Sequence, residues 1–103
     1  MAHLKGFELA NFGEKVAVFF KGKPIKKAYL FGSYARNESK TDSDIDILVE
    51  LDPSKIIGMI EYIKMIEGLE NIFSRKVDLV TTDGLSAYIK PFIDKDKILI
   101  YEA

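Results

Sequence analysis

The chain has 103 residues, with 15 Lys and Arg against 16 Asp and Glu, one His and no Cys. At 48% hydrophobic and 30% charged it has the length and composition of one folded domain, which excludes a disordered segment. The missing Cys removes disulfide and thiolate chemistry, and the lone His3 leaves His-based zinc sites and Ser-His-Asp triads without their ligands.

Residues 7–20 (FELANFGEKVAVFF) read as a helix, with Phe7, Leu9, Phe12, Val16, Phe19 and Phe20 near helical spacing. Gly22 and Pro24 stop it. Residues 27–32 (KAYLFG) form an apolar, aromatic strand that ends at Gly32. Residues 37–43 are polar turn formers. Residues 44–51 (DIDILVEL) begin by alternating acid and apolar, then turn apolar, as a central strand with one end at a site would. Asp52-Pro53-Ser54 reads as a helix start. Ile56, Ile60, Ile63, Ile66, Leu69 and Phe73 then predict an amphipathic helix over 54–73. Residues 76–81 are a third strand and Thr82-Asp83-Gly84 a turn. Residues 85–93 are a short helix broken or bent at Pro91, and 97–101 a closing strand. The order α-β-β-α-β-α-β predicts a single α/β domain with helices covering a mixed four-stranded sheet.

No apolar run approaches the ~20 residues of a membrane span. The N-terminus has no continuous apolar stretch of the secretory kind. The expected location is the cytoplasm, with no membrane partner. A net charge of −1 argues against a general nucleic-acid binder. The charge is uneven: residues 1–40 hold eight Lys/Arg and three Asp/Glu, residues 41–103 seven and thirteen. Lys21, Lys23, Lys26 and Lys27 form a basic stretch, read as a solvated approach to a strand before a phosphate attractor. Gly22-Lys23 is not a P-loop, because residue 17 is Ala and no Ser or Thr follows Lys23.

The chemistry concentrates in residues 30–50. The first strand delivers Gly32-Ser33 into what reads as a short helix. Gly lets a phosphate approach the backbone, and helix-opening N–H groups with a Ser hydroxyl suit an anion. Arg36, three residues on, shares a side with Ser33 and can reach the same phosphate. Asp44 and Asp46 are two apart on a strand, so both carboxylates share a face. Such oxygen ligands suit Mg²⁺, which takes one or two carboxylates plus substrate phosphates. Asp78 adds a third acid, with Val77 and Leu79 facing the buried side. Asp42 has the same parity and is read as turn chemistry. Alone, each piece reads more simply as an ordinary turn or a solvated acid. Together they are the parts of two-metal phosphoryl or nucleotidyl transfer.

Gly32-Ser33, ten intervening residues and Asp44-x-Asp46 resemble the signature of the nucleotidyltransferase superfamily that includes DNA polymerase β. The wider string, with RKVDLVT and a late Tyr, is similar to the prokaryotic minimal nucleotidyltransferases (MNT) from about residue 25 to 102. Asn37 departs from a common Gly, but Asn tolerates a left-handed backbone. The resemblance implies a palm-like core, ATP as substrate and a Mg²⁺ pair. It assigns Gly32 and Ser33 to the triphosphate, Asp44 and Asp46 to the metals, and Asp78 to a metal and the attacking hydroxyl. Many relatives are antitoxins paired with a HEPN-domain toxin that they modify with AMP on a tyrosine. The expected function is therefore AMP transfer from ATP to a partner protein, with the HEPN toxin as the expected partner. The motifs use up this one domain, so a second chain is expected to supply the hydroxyl. The competing expectations are stoichiometric neutralisation without catalysis, and transfer to RNA or a small molecule.

Overall fold

The alternation of residues 45–51 decides which side of the sheet is dry. In the computed structural model, which describes residues 6–36, 38 and 43–103 and side chains from residue 11 onward, Ile45, Ile47 and Val49 are all buried on one face. Asn37, Asp42 and most of the expected 37–43 turn lie outside the described residues, as do the side chains of Phe7 and Leu9. The elements are α1 (Gly6–Phe20), β1 (Ile25–Phe31), β2 (Ile45–Leu51), α2 (Met59–Phe73), β3 (Val77–Thr81), a 3-10 turn (Thr82–Gly84), α3 (Lys90–Asp96) and β4 (Ile98–Glu102).

The four strands form one sheet in the order β3-β2-β1-β4. β1 is antiparallel to β2 and β4, while β2 and β3 run parallel. Parallel neighbours need a crossover, and α2 supplies it. The expected mixed sheet with flanking helices is present. Ala28, Leu30, Ile45, Ile47, Val49, Val77 and Leu79 pack with Phe12, Val16 and Phe20 of α1 and Met65 and Leu69 of α2. The Phe12 ring stacks on Phe73 at 4.2 Å between centroids and so joins the two helices. The opposite face carries Asp46, Leu48 and Asp78.

Three sequence expectations change. The helix expected over 54–73 begins at Met59. Asp52 accepts hydrogen bonds from the Ser54 backbone N–H (2.9 Å) and hydroxyl (2.7 Å), which holds Pro53–Lys55 as a turn. Its buried stripe is also rotated. Met65 and Leu69 are buried and Tyr62, Ile66 and Phe73 partly so, whereas Ile56, Ile60 and Ile63 are 95%, 71% and 46% exposed. Pro91 opens α3 and does not break it, because a first-turn Pro gives up no helical hydrogen bond.

The lysine stretch has structural work. The Lys23 ammonium donates to the Phe19 carbonyl at 2.7 Å, closing the end of α1. Lys26 and Lys27 pair with Glu50 and Glu102, each at 3.7 Å.

Where α1 and α2 touch, a Cβ on Gly68 would lie 2.5 Å from two carbons of the Phe19 ring. Helix propensity alone favours Ala there by about 1 kcal/mol, whereas forcing the ring aside costs about 1–3 kcal/mol. Gly68→Ala is expected to lower the melting temperature. A rise would show that Phe19 moves freely and that propensity decides.

Candidate active site

β2 carries Asp46 at its second position, and the parallel ladder sets Asp46 opposite Asp78 of β3. Neighbouring strands lie about 4.8 Å apart, so two carboxylates of one parity project side by side. The antiparallel ladder on the other side sets Phe31 opposite Asp46. The chain leaving β1 therefore enters the Gly32 turn directly beside Asp46. Asp44 is exposed and lies just before β2. Parity in β3 is as expected: Val77 and Leu79 are buried and Asp78 is exposed.

Asp46 feels this crowding. Burial first, then the negative charges of Asp78 and Asp44, push its carboxyl from the ordinary 3.8 up to about 6, with Arg36 pulling the other way. Gly32 is adapted to the same carboxylate. Its φ is +75°, and an added Cβ would sit 2.1 Å from Asp46 Oδ2. Only the bare Gly lets the turn and the acid share this space.

The segment after Gly32 makes one helical turn and not the short helix expected. The Arg36 N–H donates to the Gly32 carbonyl at 3.1 Å and the Glu38 N–H to the Ser33 carbonyl at 2.8 Å. Tyr34 is 6% exposed and anchors the turn in the core. Arg36 lies on the outside. Its Nε donates to Glu38 at 2.7 Å and its Nη1 to Asp96, at the end of α3, at 3.3 Å. These partners hold its pKa above the ordinary value.

Glu38, Asp96 and Tyr62 were not visible as site residues in the sequence. Tyr62 of α2 donates its hydroxyl to the Leu79 carbonyl, next to Asp78. Desolvation first and the Asp78 charge second raise the Tyr62 pKa. Glu70, two turns on, accepts from the Val77 N–H at 3.0 Å. Side chains of α2 thus occupy backbone groups of the edge strand that carries Asp78. A Tyr three residues ahead of a buried Met gives no sequence signal of that kind.

Among the described residues, no three acids converge closely enough to cage a metal alone. Of the three expected acids, Asp46 and Asp78 face each other on adjacent strands, and Asp44 lies just upstream of β2. That donor set fits Mg²⁺, which completes its shell with phosphate oxygens and water. The repulsion of Asp46 by Asp78 and Asp44, added to its burial, also favours a cation there. A groove of about 700 Å³ runs along α1 at Glu14, Val18 and Phe19. Asp44 and Asp78 are exposed, so a large acceptor has access to them. Among the described residues, no helix is long and apolar enough to cross a membrane.

The nucleotidyltransferase domain family matches residues 14–100. A Methanocaldococcus jannaschii protein with a provisional protein-adenylyltransferase name is 44% identical over 77 residues, covering 74% of this chain and 77% of that protein. The fold is similar to a chain in a crystal structure of a toxin–antitoxin with AMP-PNP (TM-score 0.75, 22% identity, 88% of this chain and 73% of that one). It is also similar to a chain in the complex of tri-AMPylated Shewanella oneidensis HEPN toxin with MNT antitoxin (TM-score 0.70, 20% identity, 92% and 73% covered).

Proposed function

Because this chain belongs to the nucleotidyltransferase family, we propose that it transfers AMP from ATP to a hydroxyl of a partner protein, a tyrosine of a HEPN-domain toxin, and serves as that toxin's antitoxin. The observation that carries the chemistry is the register pair Asp46–Asp78 beside the Gly32-Ser33 turn. The observation that favours a protein acceptor is the exposure of Asp44 and Asp78.

In this reading the backbone and hydroxyl of Gly32-Ser33 hold the triphosphate, and Arg36 offsets its charge. Asp44, Asp46 and Asp78 would hold Mg²⁺, which would supply charge neutralisation on the reacting phosphate and the leaving group. The acceptor oxygen bonds to the α-phosphorus, the bond from that phosphorus to the bridging oxygen breaks, and pyrophosphate leaves. Asp78 orients the acceptor hydroxyl, whose proton passes to a carboxylate or to water.

The test incubates the chain with Mg²⁺, ATP labelled on the α-phosphate and lysate of the source cells. Label is expected on a discrete protein band with the intact chain and not with Asp46→Asn. Label on RNA or a small molecule would refute the protein acceptor and keep the chemistry. A second reading, neutralisation by contact alone, is favoured by the exposed apolar residues Ile56, Met59 and Ile60. Equal neutralisation by a variant with all three acids changed to Asn would establish it.

A further inference from the structure

Asp96 stands where a carboxylate is least welcome. It is the last residue of α3, facing the negative end of the helix dipole. Its side chain is nevertheless only 25% exposed, and it accepts from Arg36, 60 residues away in sequence. Among the described residues this is the one ion pair that joins α3 to the Gly32–Arg36 turn. α3 is itself anchored by the buried Ile93. Just beyond it, the Lys97 ammonium lies 4.6 Å over the ring of Tyr29 in β1. The Asp96 carboxylate is therefore a fixed point from which a long, flexible arginine hangs.

Arg36 needs such a fixed point. Its backbone lies in the single turn that starts at Gly32, and its positive charge reaches the Asp46 carboxyl. A guanidinium loses much rotamer freedom when it settles on a phosphate, and pre-organisation reduces that loss. Glu38 holds Nε from within the same turn, whereas Asp96 holds Nη1 from a separate element. Two bonds at different nitrogens define the plane of the fork.

We propose that Asp96 is a positioning residue for ATP binding: by holding Nη1 of Arg36 from the end of α3, it keeps the guanidinium at the Gly32-Ser33 turn, ready for the triphosphate. This rests on the reading of that turn as the triphosphate site. Exposed ion pairs contribute little to stability, so the consequence lies in nucleotide binding and not in melting.

The test compares the intact chain with Asp96→Ala, Asp96→Glu, Arg36→Ala and the Ala double variant. Binding is measured by titration with Mg²⁺ and a non-transferable ATP analogue, and KM and kcat with ATP. Asp96→Ala is expected to weaken analogue binding and raise KM about tenfold, with kcat changed less than about threefold and the melting temperature unmoved. Asp96→Glu is expected to restore most of the binding. In the Arg36→Ala background, Asp96→Ala is expected to change nothing further. Wild-type binding by Asp96→Ala, or an equal loss with and without Arg36, would overturn the proposal while leaving the triphosphate site standing. An intact chain that binds no ATP analogue would overturn the triphosphate site and, with it, this role for Asp96.

Discussion

Asp46→Asn is expected to abolish nucleotidyl transfer and yet to make the metal-free protein more stable at neutral pH. A carboxylate that neutralises charge at a metal supplies several kcal/mol in the transition state, so the loss should be roughly a thousandfold or more. The stability effect has the opposite sign. Asp46 has an ordinary value of 3.8 and is pushed up to about 6 in the folded chain. Between those values the folded state binds more protons than the unfolded state, so stability falls as pH rises from about 4 to about 6. Above that range the wild type carries a carboxylate that is half-buried beside Asp78 and Asp44, while Asn carries no charge. Because the group keeps much of its solvent, the gain is discounted to about 1 kcal/mol, or roughly 4 °C in a domain of this size. Thermal melts with a chelator should show the variant ahead at pH 7.5 and level with the wild type at pH 4. Adding Mg²⁺ and ATP should raise the wild-type melting temperature more than the variant's, which keeps the Gly32-Ser33 turn and Arg36 but loses one metal-binding carboxylate. Equal melts at pH 7.5 would mean that the Asp46 charge is not strained in the folded chain.

Gly32→Ala carries the second large effect, from two separable causes. At φ +75° an L-residue is strained by about 1–2 kcal/mol. The new methyl would also sit 2.1 Å from Asp46 Oδ2 and 3.0 Å from its Cγ. Either the turn or the carboxylate must move, and a shift of about 1 Å in a reacting group costs about a hundredfold in rate. The expected outcome is a loss of about 2–3 kcal/mol in stability and about a hundredfold or more in transfer. A double-mutant cycle separates the causes. In an Asp46→Ala background the contacts with Oδ2 and Cγ disappear and only the 3.2 Å approach to the Cβ of residue 46 remains, so Gly32→Ala should then cost clearly less, close to the backbone part. The same stability cost in both backgrounds would show that the carboxylate does not fill the Cβ space.

The site was legible where its chemistry is local. Gly32-Ser33 and Asp44-x-Asp46 lie within one short stretch, and strand periodicity places Asp78 on the face opposite Val77 and Leu79 and Asp46 on the face opposite Ile45 and Ile47. The apolar stripe of α2 was harder. Ile56, Ile60 and Ile63 fit a helical period as well as Tyr62, Met65, Ile66, Leu69 and Phe73 do. Periodicity does not state how far a helix is rolled on the sheet, or that Asp52 would hold the Ser54 N–H and shorten the helix. Pro91 was expected to break or bend a helix over 85–93, whereas α3 starts at Lys90 and so makes Pro91 a first-turn residue.

What the residues determined unaided was the class of fold and the face of its own strand on which each of Asp46 and Asp78 lies, because strand alternation and turn chemistry act over a few positions. What tertiary structure decided was proximity. The pairing of β2 with β3 sets Asp46 opposite Asp78, 32 positions apart in register. The exit of β1 puts Gly32 under the Asp46 carboxylate, and the end of α3 reaches Arg36 across 60 residues. These contacts depend on strand order and helix placement, which are settled by burying one shared apolar face, and no local pattern encodes that collective choice.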